Sequence, residues 1–209
     1  MACLTNDLEY YVIHLSDRTD RLNHIRKMEK RINHKLNIFD ASGPSVLAGF
    51  LPGEVGCYQS HMRLLGTPKT VEYTVILEDD FVIGRRFHSR VQKMIRDAGE
   101  FDILYLGNLD GNHAKRVKGD VYKVNADKYL TGTHGYVVKN DNAWKITSQL
   151  RYQKPIDLEL MDLINSGAVN GLVVWPSIVA QNSKLVSSIR VCETRGKRCF
   201  PWTKCVPST

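Results

Sequence analysis

The sequence predicts one α/β domain with a mostly parallel central sheet flanked by helices. Short, nearly continuous apolar runs alternate with segments whose apolar residues recur at helical spacing;. No internal repeat, low-complexity stretch or linker divides the chain before its C-terminal region. The 209 residues, 43% hydrophobic and 24% charged, have the composition of a globular protein and are enough for a sizeable core;.

The elements follow in order. Tyr10 to Leu15 reads as a buried parallel strand, with Ser16 and Asp17 as candidate caps for the next helix;. In that helix Leu22, Ile25, Met28 and Ile32 form the apolar stripe, and basic residues take much of the other face;. Leu36 to Phe39 is a second strand, ended by Ala41-Ser42-Gly43-Pro44;. Val55, Tyr58, Met62 and Leu65 predict a helix over 54–65;. Val75-Ile76-Leu77 is a core strand, and Phe87, Val91, Met94, Ile95 and Ala98 mark a further helix;. Phe101 to Leu106 is a strand that stops at Gly107, and 111–119 is a polar, basic loop;. Val121 to Val124 and Gly135 to Val138 are short strands, followed by a helix over 140–150 capped by Asn140 or Asp141;. Pro155 opens a helix that runs to about Ser166 and ends at Gly167;. Leu172 to Trp175 is the last strand, and the pattern fades beyond Ser183. The expected division is therefore a folded domain over 1–183 and a basic tail over 184–209.

The net charge of +7 invites a polyanionic partner: nucleic acid, a membrane surface or a nucleotide phosphate;. Six basic side chains against Glu193 place +5 in residues 184–209, so the remaining 183 carry only +2. No run approaches the roughly 18 apolar residues of a membrane span, and no basic-then-apolar leader opens the chain;. Five cysteines are an odd number, and the spacing of Cys192, Cys199 and Cys205 fits no zinc pattern;. The expectation is a cytoplasmic, reducing setting (host cytoplasm if the chain is viral). The phosphate-loop and dinucleotide glycine motifs and the hydrolase Gly-x-Ser-x-Gly elbow are missing;.

Glu78-Asp79-Asp80 is the strongest local feature, because a buried strand delivers three acids at its carboxyl end, where open α/β sheets bind ligands;. Alternation along an extended strand would point Glu78 and Asp80 to one site and Asp79 toward the fold. Three carboxylates so close call for a cation, and oxygen donors suit Mg²⁺ or Mn²⁺. A solvated acidic turn is the plain alternative. Arg18 and Arg21, at a strand-to-helix junction, offer a nucleotide site or are solvated arginines on an amphipathic helix;. His61 is a donor to phosphate or sugar, or a buried and satisfied histidine. Thr131-Gly132-Thr133-His134-Gly135 is either a close-approach loop or a tight turn;. Asp157, in the first turn of its helix, is a proton acceptor or an ordinary helix-start aspartate kept ionised by the dipole;.

Together these segments resemble glycosyltransferase family 25, which includes lipopolysaccharide and collagen galactosyltransferases. The resemblance rests on Tyr11-Val12-Ile13-His14-Leu15 with Arg18 and Arg21, Gly53 to His61, Val75 to Phe81, Phe101 to Gly107, Thr131 to Tyr136, Pro155-Ile156-Asp157 and Pro176 to Gln181, with Ser188 and Ile189 nearby. It covers roughly residues 9–190. It implies a GT-A fold, a nucleotide diphosphate sugar donor of the UDP-hexose kind, Mn²⁺ or Mg²⁺, and transfer with inversion to a hydroxyl of a glycan or glycoprotein. Glu78 and Asp80 would hold the metal, with Asp79 beside them. Leu15, Ser16, Arg18 and Arg21 would lie near the nucleotide, and His61, Thr133 and His134 on the sugar side. Asp157 would be the base, ahead of Glu159 and Asp162. His14 and Gln59 depart from the family's usual Asn and Leu-like residues. The resemblance also suggests a virus-encoded protein or a domain of a larger chain, monomeric or part of that chain, with no nucleic-acid partner and no membrane span. Two other readings are a non-catalytic nucleotide- or glycan-binding module and a metal-dependent nucleotidyl or phosphoryl transferase.

Overall fold

The computed structural model describes residues 8–109, 111, 113–128 and 130–185; the expected tail lies almost wholly outside them. The strands are β1 (Leu8–His14), β2 (Asn37–Asp40), β3 (Tyr73–Glu78), β4 (Phe81–Ile83), β5 (Ile103–Tyr105), β6 (Arg116–Lys118), β7 (Val121–Lys123), β8 (Gly135–Lys139), β9 (Gly171–Val174) and β10 (Val179–Gln181). The helices are α1 (Thr19–Ile32), α2 (Pro52–Gly66), α3 (Phe87–Ala98), α4 (Ala143–Thr147) and α5 (Ile156–Asn165). Eight strands form one sheet in the order β2-β1-β3-β8-β5-β9-β7-β6, and β4 pairs with β10 apart from it.

The sheet is buried on both faces, which explains the continuous apolar runs. Tyr73, Val75 and Leu77 of β3 enter one apolar cluster with α1 and α3. Ile76 enters the opposite one, which holds residues of α2, α4 and α5. The same alternation holds in β8, with Val137 on the first face and Tyr136 and Val138 on the second. Helices thus flank a central sheet, as the α/β class requires.

Strand direction is more mixed than the expected, mostly parallel sheet. β1 runs parallel to β2 and β3, and β5 to β9. β8, however, lies antiparallel between β3 and β5, and β7 is antiparallel to both β9 and β6. β8 runs the same way as β7; from β7 the chain returns through residues 124–134 to insert β8 between β3 and β5, both of which point the other way. The consequence is functional. A strand that points the other way brings its leading residues, Thr133 and His134, to the carboxyl ends of β3 and β5, where Leu77 pairs with Gly135 and Tyr105 with Tyr136.

Other departures are local. Residues 116–118, expected in a loop, form an exposed edge strand; Arg116, Val117 and Lys118 show no apolar alternation, and charge protects such an edge;. β4 and β10 have three residues each, too few for a periodic signal. Neither Ser16 nor Asp17 caps α1, because Arg18 occupies that position with no side-chain cap. Asn140 spends its side chain on the Val71 carbonyl, 2.7 Å away, and a 3₁₀ turn precedes α4. Lys27, Lys30, Arg31, Arg86, Arg90 and Arg96 are exposed on or beside α1 and α3, the two helices of one face.

β5, β8 and β10 meet at Gly107. A Cβ there would clash with the Val179 carbonyl oxygen and lie 2.5 Å from His134 Nε2. Backbone leaves little room to yield. Gly107→Ala is expected to destabilise the fold by about 1–3 kcal/mol, measured by urea denaturation.

Candidate active site

The register sets the site. Parallel pairing of β1 with β3 places Ile13 beside Glu78, so His14 and the acidic turn share one edge. β3 ends at Glu78, and the chain turns at Asp79 and Asp80. The three carboxylates then separate. Asp79, buried, accepts from Arg21 Nη1 and from His14 Nδ1, the latter at 2.9 Å. Arg21 Nη2 lies 3.6 Å from Asp80 Oδ2. Asp80 Oδ1 is buried with no hydrogen-bond partner among the described residues. Glu78 Oε1 accepts from Thr133 Oγ1 at 2.5 Å and faces His61 Nε2 at 3.3 Å.

His61 is wholly buried, and its other nitrogen, Nδ1, lies 2.8 Å from the Tyr136 hydroxyl. A carboxylate can only accept, so Nε2–H points to Glu78 and Nδ1 accepts from Tyr136. His61 is therefore both a buried, satisfied histidine and a wall of the site.

Electrostatics divide the acids. Burial raises the Glu78 carboxyl, but His61 and Thr133 outweigh it and hold it below the usual range. Burial and the charge of Glu78 push Asp80 up to about 7, against the pull of Arg21. The cluster is thus short of positive charge at Asp80. A divalent cation with oxygen ligands fits these residues: an orphaned buried carboxylate oxygen and a neighbouring glutamate are suitable hard donors.

An open cleft runs beside the cluster. Leu15, Arg21, His61, Glu78 and Asp79 line it. Its far wall is the Ser42–Pro44 loop, packed so closely on α2 that a Cβ on Gly56 would lie 2.7 Å from the Ser42 and Gly43 carbonyl oxygens. Ser60 Oγ accepts the Ser42 N–H at 2.8 Å and fixes that loop. Thr133 reaches the cleft through Glu78. His134 is buried against Gly107 and hydrogen-bonded to the Val179 carbonyl, and burial lowers its pKa. Ser16 is exposed, and Arg18 makes a two-pronged pair with Asp20 at 2.9 and 3.0 Å; neither lines the cleft.

Asp157 accepts from Gly132 N at 3.2 Å and Leu158 N at 3.0 Å. It is thereby joined to the loop that carries Thr133. Burial raises its carboxyl despite these two bonds, a direction the helix dipole alone would not produce. Glu159 is turned elsewhere. It accepts from the Tyr58 hydroxyl at 2.5 Å and from the backbone N–H groups of Arg151, Gln153 and Lys154, which ties the segment before α5 to α2. Asp162 is exposed, paired with Lys154 at 2.7 Å.

Two further groups flank His61: Cys57, which lines the cleft, and Tyr136, buried behind the imidazole. Cys57 stands four residues before His61 on a predicted helix, a spacing that puts both on one face and was legible. Tyr136 was not, because it reaches His61 only through tertiary packing.

The Glu159 network has a measurable sign. Burial raises its carboxyl, but Tyr58 and the three N–H groups prevail and lower it. The stability it contributes is present above the usual glutamate value of about 4.3 and is lost as pH falls through the folded value. Glu159→Gln is expected to cost about 2–3 kcal/mol near neutrality. That difference from wild type should narrow in denaturation curves taken below about pH 4.3.

Among solved structures, three likenesses are remote. A Drosophila β1,4-galactosyltransferase 7 in complex with manganese, UDP-galactose and xylobiose is 10% identical with a TM-score of 0.45, covering 93% of this chain and 76% of that one. A glycosyltransferase involved in glycosylation of the PBCV-1 major capsid is 8% identical with a TM-score of 0.36, covering 76% and 67%. S. aureus TarS with UDP-GlcNAc is 13% identical with a TM-score of 0.40, covering 85% of this chain and half of that one. No curated protein matches the chain in sequence at a significant level. The family model described as glycosyltransferase family 25 (LPS biosynthesis protein) matches residues 48–161, more than half the chain, from just before α2 through the acidic turn and the 131–135 loop into α5. The chain belongs to glycosyltransferase family 25.

Proposed function

We propose that this glycosyltransferase moves a hexose from a UDP-linked sugar to a hydroxyl of a glycan or glycoprotein, with inversion, in a GT-A-type cleft that requires Mn²⁺ or Mg²⁺. The observation that carries the reading is the Asp80 carboxyl, orphaned at one oxygen and raised to about 7 within an acid cluster at the carboxyl edge of β3. Glu78 and Asp80 would hold the cation, which when bound offsets charge on the departing diphosphate.

The chain's own residues supply the rest. Arg21 is held in place by Asp79 and keeps a fixed guanidinium at the cleft wall. It neutralises the acids and adds positive charge where a diphosphate would lie. Leu15 gives an apolar surface beside it for the base or ribose. The Ser42–Pro44 loop and α2 limit water from the opposite side. His61 and Thr133 fix the Glu78 rotamer and hold the carboxylate in its ionised form.

In the transfer, the acceptor oxygen bonds to the anomeric carbon from the face opposite the diphosphate. The bond from that carbon to the diphosphate oxygen breaks, and the electron pair leaves with the diphosphate. The acceptor proton passes to Asp157 Oδ. The raised affinity of Asp157 for a proton suits that role;. Its hydrogen bond to Gly132 keeps the carboxylate registered to the loop that carries Thr133.

Two variants test this. Asp80→Asn is expected to abolish Mn²⁺-dependent turnover of UDP-sugars and to remove the Mn²⁺-dependent part of the thermal stabilisation by UDP. Retained turnover would overturn the metal assignment. Asp157→Asn is expected to lower kcat by about 10²–10⁴-fold with the donor dissociation constant nearly unchanged. An equal loss in both, or in neither, removes Asp157 as the base. Thermal shifts with UDP against GDP, and with a panel of nucleotide sugars, identify the donor.

A further inference from the structure

We propose that Cys57, His61 and Glu78 form a second cation site on the cleft wall, overlapping the carboxylate pair at Glu78 and suited to a borderline-soft divalent cation, zinc. The ligand atoms Sγ, Nε2 and a carboxylate oxygen all lie within 4.8 Å of one another. Zinc bonds of about 2.0–2.3 Å bring donors on one ion somewhat closer than that, a closure that side-chain rotation supplies.

Three independent features support the assignment. The donors stand on rigid elements: Cys57 and His61 are i and i+4 on α2, and Glu78 closes β3. Helix geometry therefore fixes two of the three ligands to one face before any ion binds. The histidine is also oriented from behind. Its Nδ1 is 2.8 Å from the Tyr136 hydroxyl, and the rings are stacked 5.6 Å apart, so Nε2 is held toward Glu78. An ion at Nε2 displaces the proton that faces Glu78 without metal; the imidazole then takes the other tautomer and Nδ1–H donates to the Tyr136 hydroxyl, the supporting hydrogen bond usual for a metal-binding histidine. Finally, all three residues line the cleft, which leaves the ion an entry path and an open coordination position;.

The donor set sets the preference. One thiolate, one imidazole and one carboxylate select zinc over Mg²⁺ or Mn²⁺, which favour oxygen ligands. Only Glu78 is shared with the carboxylate pair assigned to the donor cation. Zinc here therefore competes with a hard cation at Glu78 and Asp80. The inference does not depend on the transfer reading, because binding is read without nucleotide or acceptor.

The experiment is titration of the full chain, thiols reduced, with Zn²⁺ and with Co²⁺ as a spectroscopic probe. One equivalent of Co²⁺ per chain is expected, with a near-ultraviolet thiolate-to-metal band that stoichiometric Zn²⁺ erases. Cys57→Ser should remove the band, and His61→Gln should weaken binding. Tyr136→Phe should weaken it about 10–100-fold, as loss of a supporting hydrogen bond does, whereas Asp80→Asn should leave it intact. Far-UV circular dichroism and thermal unfolding verify that each variant is folded. A band that persists in Cys57→Ser assigns the thiolate to another cysteine and overturns the site. So does the absence of a band in wild type, which would make the three residues a hydrogen-bonded cluster only.

Discussion

The buried Arg21–Asp79 pair is the interaction on which the site depends. It joins α1 to the turn after β3, and His14 completes it from the end of β1. Three adjacent acids at the end of a buried strand would repel one another strongly in a water-poor setting. One guanidinium, shared between Asp79 and Asp80, allows them to remain there. A buried pair of this kind contributes little net stability, because both ions have lost their hydration, yet losing one partner leaves an uncompensated charge. Its value lies in geometry. It holds Asp79 against Arg21 and His14 at the cleft wall, where the guanidinium keeps a positive charge, while Asp80 has one oxygen without a partner among the described residues.

The second constraint is the direction of β8. In a wholly parallel sheet, residues before that strand would lie at the opposite edge from Glu78. Because β8 is antiparallel, Thr133 meets Glu78 and the Gly132 N–H meets Asp157. One strand thus binds the acidic turn to the start of α5. Gly107 and Gly135 make this possible, since both allow Val179 to pack against the same edge with no side chain between. Glu159 acts beyond that edge, where its four hydrogen bonds anchor the entry to the helix that carries Asp157.

Much of this was legible in the sequence, for identifiable reasons. The core strands were readable because both of their faces are buried and their apolar runs are unbroken. The acidic turn was readable because its three residues are contiguous and follow such a strand. Sheet direction was not, because it depends on which strands β8 inserts between and not on the composition of any of them. β4 and β10 escaped because three residues cannot show a period. β6 escaped because an exposed edge strand looks like a polar loop. Arg18 and Arg21 looked alike in sequence. A small difference in helical phase sends Arg21 into the core and Arg18 out to Asp20.

The sequence alone determined the α/β class, the place of the acids at a strand end, and membership in a glycosyltransferase family. These are properties of local pattern and of ordered motifs, which a chain carries before it folds. Only the tertiary structure decided which acid is paired and which keeps an oxygen without a hydrogen-bond partner among the described residues. Asp79 meets His14 across 65 positions and Arg21 across 58, while Cys57, His61 and Glu78 converge from a helix and a strand. Charge and ligand geometry depend on distances of a few ångströms, and those are set by packing between elements far apart in the chain.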